Sequence, residues 1–432
     1  MIYEDLLAFW LAFLIWEFLP PSLEISLSPF VIGSLFIGKE LLFLYLLLYL
    51  RRRFFFSLGH LPSLIDKLLL MFVFLLFILD LSFFGFKKFL SGYYFGATGA
   101  LLWFAHYYIL SKLTLYPLTV RYLRIIAGLL FPFFLLLVLD ETLEYLSIDF
   151  RGRFFLLLFI ILLISPYIII KIWPVRRMTK GFLYELITAF LEKLRLRFRD
   201  YLVLPSIGPK FYTAGVLGFL PPFRYLFFSS SLLEILNERE VLGVVAHEAG
   251  HLKRKHGLIL LVVLLSFPLL LLNFFYFISL ILHLFFEDRD SLVKFLKGTN
   301  AIYFEVAIGL GLLLLSLLFF RYIFAFFLRS LEREADLFAL YVLKDPEPLI
   351  SALQKIGEVT GQLFRKSWHH YGLWERISYI KYATAYPQAI RKHSLRFRKL
   401  LLLWLFLNLL PLGIFLSLEV GLWRKLLQFL FS

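Results

Sequence analysis

A chain of 432 residues that is 61% hydrophobic, with a mean hydropathy of +0.84, has more apolar surface than one water-soluble fold of that length can hide. Its net charge of +15 does not point to nucleic acid, because the lysines and arginines gather beside apolar runs, as the positive-inside bias of membrane proteins requires. The absence of cysteine excludes disulfides, thiolate metal sites and a cysteine nucleophile.

The apolar runs come in chain order at 6–16, 30–50, 67–86, 94–111, 125–139, 154–173, 258–286, 301–328 and 400–418. A helix needs about 20 apolar residues to cross the hydrocarbon core. Eight or nine spans are therefore predicted, with 6–19 and 125–139 the shortest. The start MIYED leads through the first run to Pro20-Pro21 with no small-residue cleavage pattern, which reads as a retained anchor. Three regions follow: 1–173 with five or six spans, 174–399 as a polar region interrupted by two spans (about 258–286 and 301–328), and 400–432 as a last span and tail. The fold class is mainly α, a polytopic helical membrane protein with an inserted soluble-type domain.

Charge sets the orientation. Arg51–Arg53, then Lys112, Arg121 and Arg124, then Lys171, Arg176, Arg177 and Lys180 mark one side. The gap at 140–150 holds Asp140, Glu141, Glu144 and Asp149 without a base, and marks the other. This places 174–257 on the cytoplasmic side of a cell (inner) membrane, with Lys87-Lys88 on the wrong side of the scheme.

The polar stretch opens with 181–199, a helical pattern with a basic face. The segment 211–231 reads as two β runs around Pro221-Pro222, hence a hairpin. Asn237 and Glu240 form a capping-box pattern, so a helix is expected from about 238 through "VVAHEAGHLKRKHG". On that helix His247 and His251 are four apart and share a face, where two neutral imidazoles can hold one zinc ion. Glu248 lies beside them, placed to take a proton from water and return it to a leaving amine. His256 falls about 140° further round the same helix and cannot be the third ligand there.

The best third ligand lies past two spans, in "RSLEREADLFAL". Glu332 and Asp336 are four apart on one face; Glu332 suits the metal and Asp336 the outer N–H of a ligating histidine. Glu334 projects to the other side, toward solvent or a base such as Arg329. Alone, this segment reads as a charged helix start with ion pairs.

"HEAGHLKRKHG" followed across two spans by "RSLEREAD" resembles the integral-membrane zinc metalloproteases, which include type I CAAX prenyl proteases and HtpX-type quality-control proteases. Arg329, Glu332, Ala335 and Asp336 match that family's second motif. The segment "HHYGLWERISYI" is similar to its C-terminal stretch, with Tyr371 and Gly372 where the family has two prolines. The resemblance implies a zincin-like domain with one Zn2+ per chain held by His247, His251 and Glu332, and Glu248 as general base. It further implies His370 at the oxyanion, Arg376 and Arg329 bracing the carboxylates with Asp336, and Ala214 on a substrate-binding edge strand.

The expected function is a membrane-embedded zinc endopeptidase acting on peptides or membrane proteins in a lipid bilayer. Processing of prenylated C-termini, a non-hydrolytic zinc sensor and a transporter are the alternatives. A transporter would keep its ionisable residues mid-span and not in two polar inserts.

The orientation is checked with single cysteines in this cysteine-free chain. Ser147→Cys should react with an impermeant thiol reagent in intact cells, and Thr179→Cys only after lysis. Labelling of both from outside would reverse the orientation.

Overall fold

The computed structural model describes residues 2–19, 28–55, 63–92, 95–115, 120–148, 150, 152–205, 211–285, 301–365 and 371–418. It divides into two compact units, the first ending at Pro174 and the second beginning at Val175.

The described part of the first unit is helical throughout: α1 (Ile2–Phe18), α2 (Pro29–Leu50), α3 (Ser63–Ser82), α4 (Phe86–Ser91), α5 (Gly96–Leu115), α6 (Val120–Tyr145) and α7 (Arg153–Ile172). Its core is aromatic and aliphatic, with Phe9, Phe43, Leu47, Phe77, Phe104 and Tyr107 fully buried. The expected run 67–86 is cut at Gly85, whose φ of 75° ends one helix and starts a short second one.

Buried charges in this unit have partners. Asp80, 0% exposed, accepts from Lys39, Tyr107 and Trp103. Glu141 accepts the N–H groups of Ala97 (2.9 Å) and Thr98 (3.2 Å), so α6 supplies a carboxylate to the positive N-terminus of α5. Lys87, which broke the charge scheme, donates to the carbonyls of Trp16 and Leu19 at the end of α1. It is held by unpaired helix carbonyls, which explains its departure from the bias. The side chains of His283 and Glu305 lie outside the described residues.

The second unit carries a four-stranded sheet and nine described helices. Its elements are β1 (Arg176–Arg177), α8 (Phe182–Lys193), β2 (Asp200–Leu204), β3 (Ala214–Leu217), β4 (Tyr225–Ser229), α9 (Ser230–Ile235), α10 (Glu238–Lys253), α11 (His256–Phe285), α12 (Ala301–Leu318), α13 (Ala325–Leu343), α14 (Glu347–Thr360), α15 (Leu373–Ala385) and α16 (Gln388–Leu418). The strand order is β1-β2-β4-β3. The predicted hairpin is present as the antiparallel pair β3–β4, with Ala214 opposite Phe228. It is extended by β2, which runs parallel to β4 and was not foreseen. Thr213 accepts from the Ser229 N–H at 2.8 Å. By strand alternation, Ala214 and Val216 then turn their backbone groups to the free edge.

The predicted cap is also present. Asn237 accepts from Glu240 N at 2.9 Å and Glu240 accepts from Asn237 N at 2.8 Å, starting α10. Glu240 also takes Ser351 and Lys355 of α14, tying the two helices.

Among the described residues, four helices are long and apolar enough to cross a membrane: Pro29–Phe54, Leu123–Tyr145, His256–Ile278 and Val306–Leu343. Two of them run directly into the polar helices of this unit. α11 starts two residues after α10 ends, with Lys255 at φ 55° making the turn. α12 continues through a π-helical turn (Phe319–Phe324) into α13, so the expected run 301–328 and the charged segment after it form one continuous helix.

Gly243 on α10 faces α14 closely, and a Cβ there would lie 2.7 Å from Leu349 N and 2.8 Å from the Pro348 carbonyl carbon. Both atoms are backbone, so relief requires moving a helix. Gly243→Val should lower stability by about 1–3 kcal/mol through overpacking, against a gain of only a few tenths from helix propensity. The check is the melting temperature in detergent, which should fall; an unchanged value would show that the helices are not in contact.

Candidate metal centre

Three elements build the site. α10 presents His247 and His251 one turn apart. α13 presents Glu332 and, one turn later, Asp336. α15 brings in Arg376.

The close approach of α10 and α13 depends on small residues. A Cβ on Gly250 would sit 3.0 Å from Ala335 Cα and 3.1 Å from its carbonyl oxygen. α15 is clamped to α13 by Arg333, whose guanidinium lies 3.8 Å from the Tyr371 ring centre and 4.0 Å from that of Tyr379. Glu375 accepts from Gly372 N at 3.0 Å and fixes where α15 begins.

One ligand atom each from His247, His251 and Glu332 falls within 4.8 Å of the others. The two histidine Nε2 atoms are 3.2 Å apart, and Glu332 oxygens lie 3.5 Å from His247 Nε2 and 3.6 Å from His251 Nε2. A tetrahedral zinc ion with ligands at 2.0–2.1 Å would space them by about 3.4 Å. The donor set, two imidazoles and one carboxylate without sulfur, also suits zinc.

Around these three the contacts are charged and tight. His247 Nδ1 lies 2.8 Å from Asp336 Oδ1. Arg376 grips the same carboxylate with two bonds, Nε to Oδ2 at 2.9 Å and an Nη to Oδ1 at 2.6 Å, and reaches within 3.9 Å of Glu332. Ala214 sits half-buried on the edge strand, and Arg329 is half-buried one turn before Glu332. His370 lies outside the described residues, as does His369.

Of the two surroundings expected for Glu334, solvent is corrected and a basic neighbour is found, though it is His256. Glu334 is 7% exposed and does not face solvent; its Oε2 lies 3.7 Å from His256 Nε2. Sequence reasoning placed only α10 beside α13, whereas α13 also packs against α11, whose first residue is His256. His256 was missed as part of the site. The polar run gives way to the apolar one at Lys255-His256-Gly257, but the positive-φ residue there is a lysine, so the residues do not announce the break.

Burial and the Arg376 charge oppose a proton on His247, but hydrogen bonds to Asp336 and Glu332 outweigh them and carry its pKa up to about 9. Burial takes His251 the other way, down to about 3. Burial also pushes Glu248 up to about 7, against the pull of His247 and a hydrogen bond from the Val216 backbone.

Comparison with known proteins agrees with the resemblance in the motifs. Residues 196–392 match Peptidase family M48. The chain is 30% identical over 133 residues to "Protease HtpX homolog" of Caldanaerobacter subterraneus subsp. tengcongensis, covering 31% of this chain and 43% of that protein. It is 36% identical over 75 residues to the Arabidopsis thaliana "Plastoglobule-localized metallopeptidase 48, chloroplastic", covering 17% of this chain and 21% of that protein. The matches span less than half the length of these relatives. The crystal structure of S. mikatae Ste24p aligns with 87% of this chain and 96% of its own, at 16% identity and a TM-score of 0.41.

The opposed histidine shifts make a prediction. Zinc ligation needs both imidazoles unprotonated. At pH 7 the metal-free protein already holds His251 neutral, while His247 keeps its proton. Zinc uptake should therefore release about one proton from the pair, and affinity should rise about tenfold per pH unit between pH 6 and 8. Titration calorimetry in buffers of different ionisation enthalpy counts the proton; release of none or two would contradict the assignment.

Proposed function

We propose that this protein is a multi-pass membrane zinc endopeptidase that hydrolyses peptide bonds in membrane-associated proteins or peptides. The observation that carries this reading is the meeting of His247, His251 and Glu332 within 4.8 Å, with Glu248 beside them on the same helix. His247, His251 and Glu332 would hold one zinc ion, which supplies Lewis-acid polarisation of the scissile carbonyl and makes a nearby water more acidic.

The remaining steps belong to the chain. An extended peptide adds to the edge of β3 that no described strand pairs, where the backbone groups of Ala214 and the Val216 carbonyl set its register. The Val216 N–H holds the Glu248 carboxylate in place. Burial raises the basicity of the Glu248 carboxylate, which suits it to take a proton from the attacking water and pass it to the departing amine. Asp336 keeps the proton of His247 on Nδ1, so Nε2 stays free for the metal. Arg376 holds Asp336 by two bonds and balances the crowded acids.

In this reading 1–173 is a membrane bundle, 174–399 the peptidase region, and 400–432 a closing span and tail. The catalytic helix is assigned to the cytoplasmic side on the charge bias of the gaps between spans, and α10 and α13 each adjoin an apolar helix.

Purified protein should cleave casein or itself, and a chelator should stop it. Glu248→Gln should keep one zinc per chain while losing at least about 10²-fold in rate, the usual scale of general acid–base catalysis. Turnover equal to the parent's would contradict the mechanism.

A further inference from the structure

In the proposed metal centre only one of the two histidines is oriented directly by a carboxylate. Asp336 orients His247, but among the described residues no carboxylate touches the outer nitrogen of His251. That nitrogen meets another histidine instead. His256 Nδ1 lies 3.0 Å from His251 Nδ1, with the two rings nearly perpendicular at 88°.

The local chain explains the contact. α10 ends at Lys253, and the left-handed residue Lys255 (φ 55°) turns the backbone so that His256 opens α11 facing back toward His251. A continuous helix would have carried His256 about 140° away. His256 is 1% exposed. Its other nitrogen, Nε2, faces the buried Glu334 Oε2 at 3.7 Å, and Ser394 of α16 bonds the same carboxylate group. His256 Nε2 and Glu334 Oε1 are both buried atoms with no hydrogen-bond partner. Two polar groups in that condition cost stability unless they are completed.

Proton placement runs one way along this series. His251 Nε2 is the atom beside His247 Nε2 and Glu332, so the proton of the neutral ring must sit on Nδ1. That N–H then donates to His256 Nδ1. His256, accepting there, must carry its own proton on Nε2, aimed at Glu334. Each group has one role, and the series ends on an acceptor-only carboxylate.

We propose that His256 and Glu334 form a relay that fixes the tautomer and ring orientation of His251, as Asp336 does for His247. Both are positioning residues. The inference rests on the zinc reading above. Each acid of "LEREAD" then has its own place, with Glu332 on the metal, Asp336 behind one imidazole, and Glu334 behind the other through His256.

The test measures zinc dissociation constants by chelator competition on the full chain in detergent, with the Co2+ spectrum as a readout of ligand geometry. His256→Ala should weaken zinc binding by about 10–100-fold, the usual cost of losing an outer hydrogen-bond partner of a ligand. Glu334→Gln, which leaves only a neutral acceptor, should lose less. His256→Asn puts an amide oxygen near the place of Nδ1 and should recover most of the affinity. His256→Gln reaches the place of Nε2 and should not. The Asn and Gln variants keep the test decisive if the alanine variant does not fold. Equal affinities for Asn and Gln, or a His256→Ala affinity within about twofold of the parent's, would overturn the relay. A parent protein that takes up no zinc would instead overturn the metal-centre reading beneath it.

Discussion

Gly250 packs its bare Cα against the backbone of Ala335, and the separation of the two site helices depends on that contact. With larger residues at either position α10 and α13 would stand further apart, at the 8–10 Å interaxial distance typical of helices or beyond it. Glu332 would then fall short of the two imidazoles. Because the contact is between backbones, it cannot relax by a rotamer change, and it holds Glu332 at 3.5–3.6 Å from the two imidazoles.

That packing also decides how α13 is used. Its Glu332–Asp336 face meets α10, and its opposite face meets α11. Acids about 200° apart on one helix can thus serve a single centre, one side directly and the other through His256. The charge this gathers is balanced by Arg376, held by Asp336 and reaching toward Glu332. Both ligand-bearing helices are extensions of membrane-crossing ones, α10 through a two-residue turn and α13 through a π-helical turn. The bilayer thus sets where along their length the polar chemistry can begin.

Much of this was legible in the residues. His247 and His251 stand out by their four-residue step on one helix, and Glu332 by pairing at the same step with Asp336 together with the resemblance of "RSLEREAD" to a family motif. The hairpin around Pro221-Pro222 and the Asn237–Glu240 cap were read from turn and cap chemistry, which is local. What was not legible depends on neighbours distant in sequence. The pairing of β2 beside β4 brings together segments separated by a loop, and nothing in either names the other. Glu334 looked solvent-facing because the helix wheel shows which way a side chain points and not what stands there. His256 was set aside on the geometry of an unbroken helix, and the break at Lys255 is a positive-φ turn without a glycine to announce it.

The central claim is that two imidazoles and one carboxylate of this chain form a zinc centre. Zinc K-edge X-ray absorption on the purified full chain tests it most directly. The expected result is one zinc per chain with two imidazole nitrogens at about 2.0–2.1 Å and light oxygen donors completing a four-coordinate shell. A shell with three imidazoles would place His256 or a histidine outside the described residues on the metal and remove Glu332 from it. A chain that carries no zinc would contradict the claim outright.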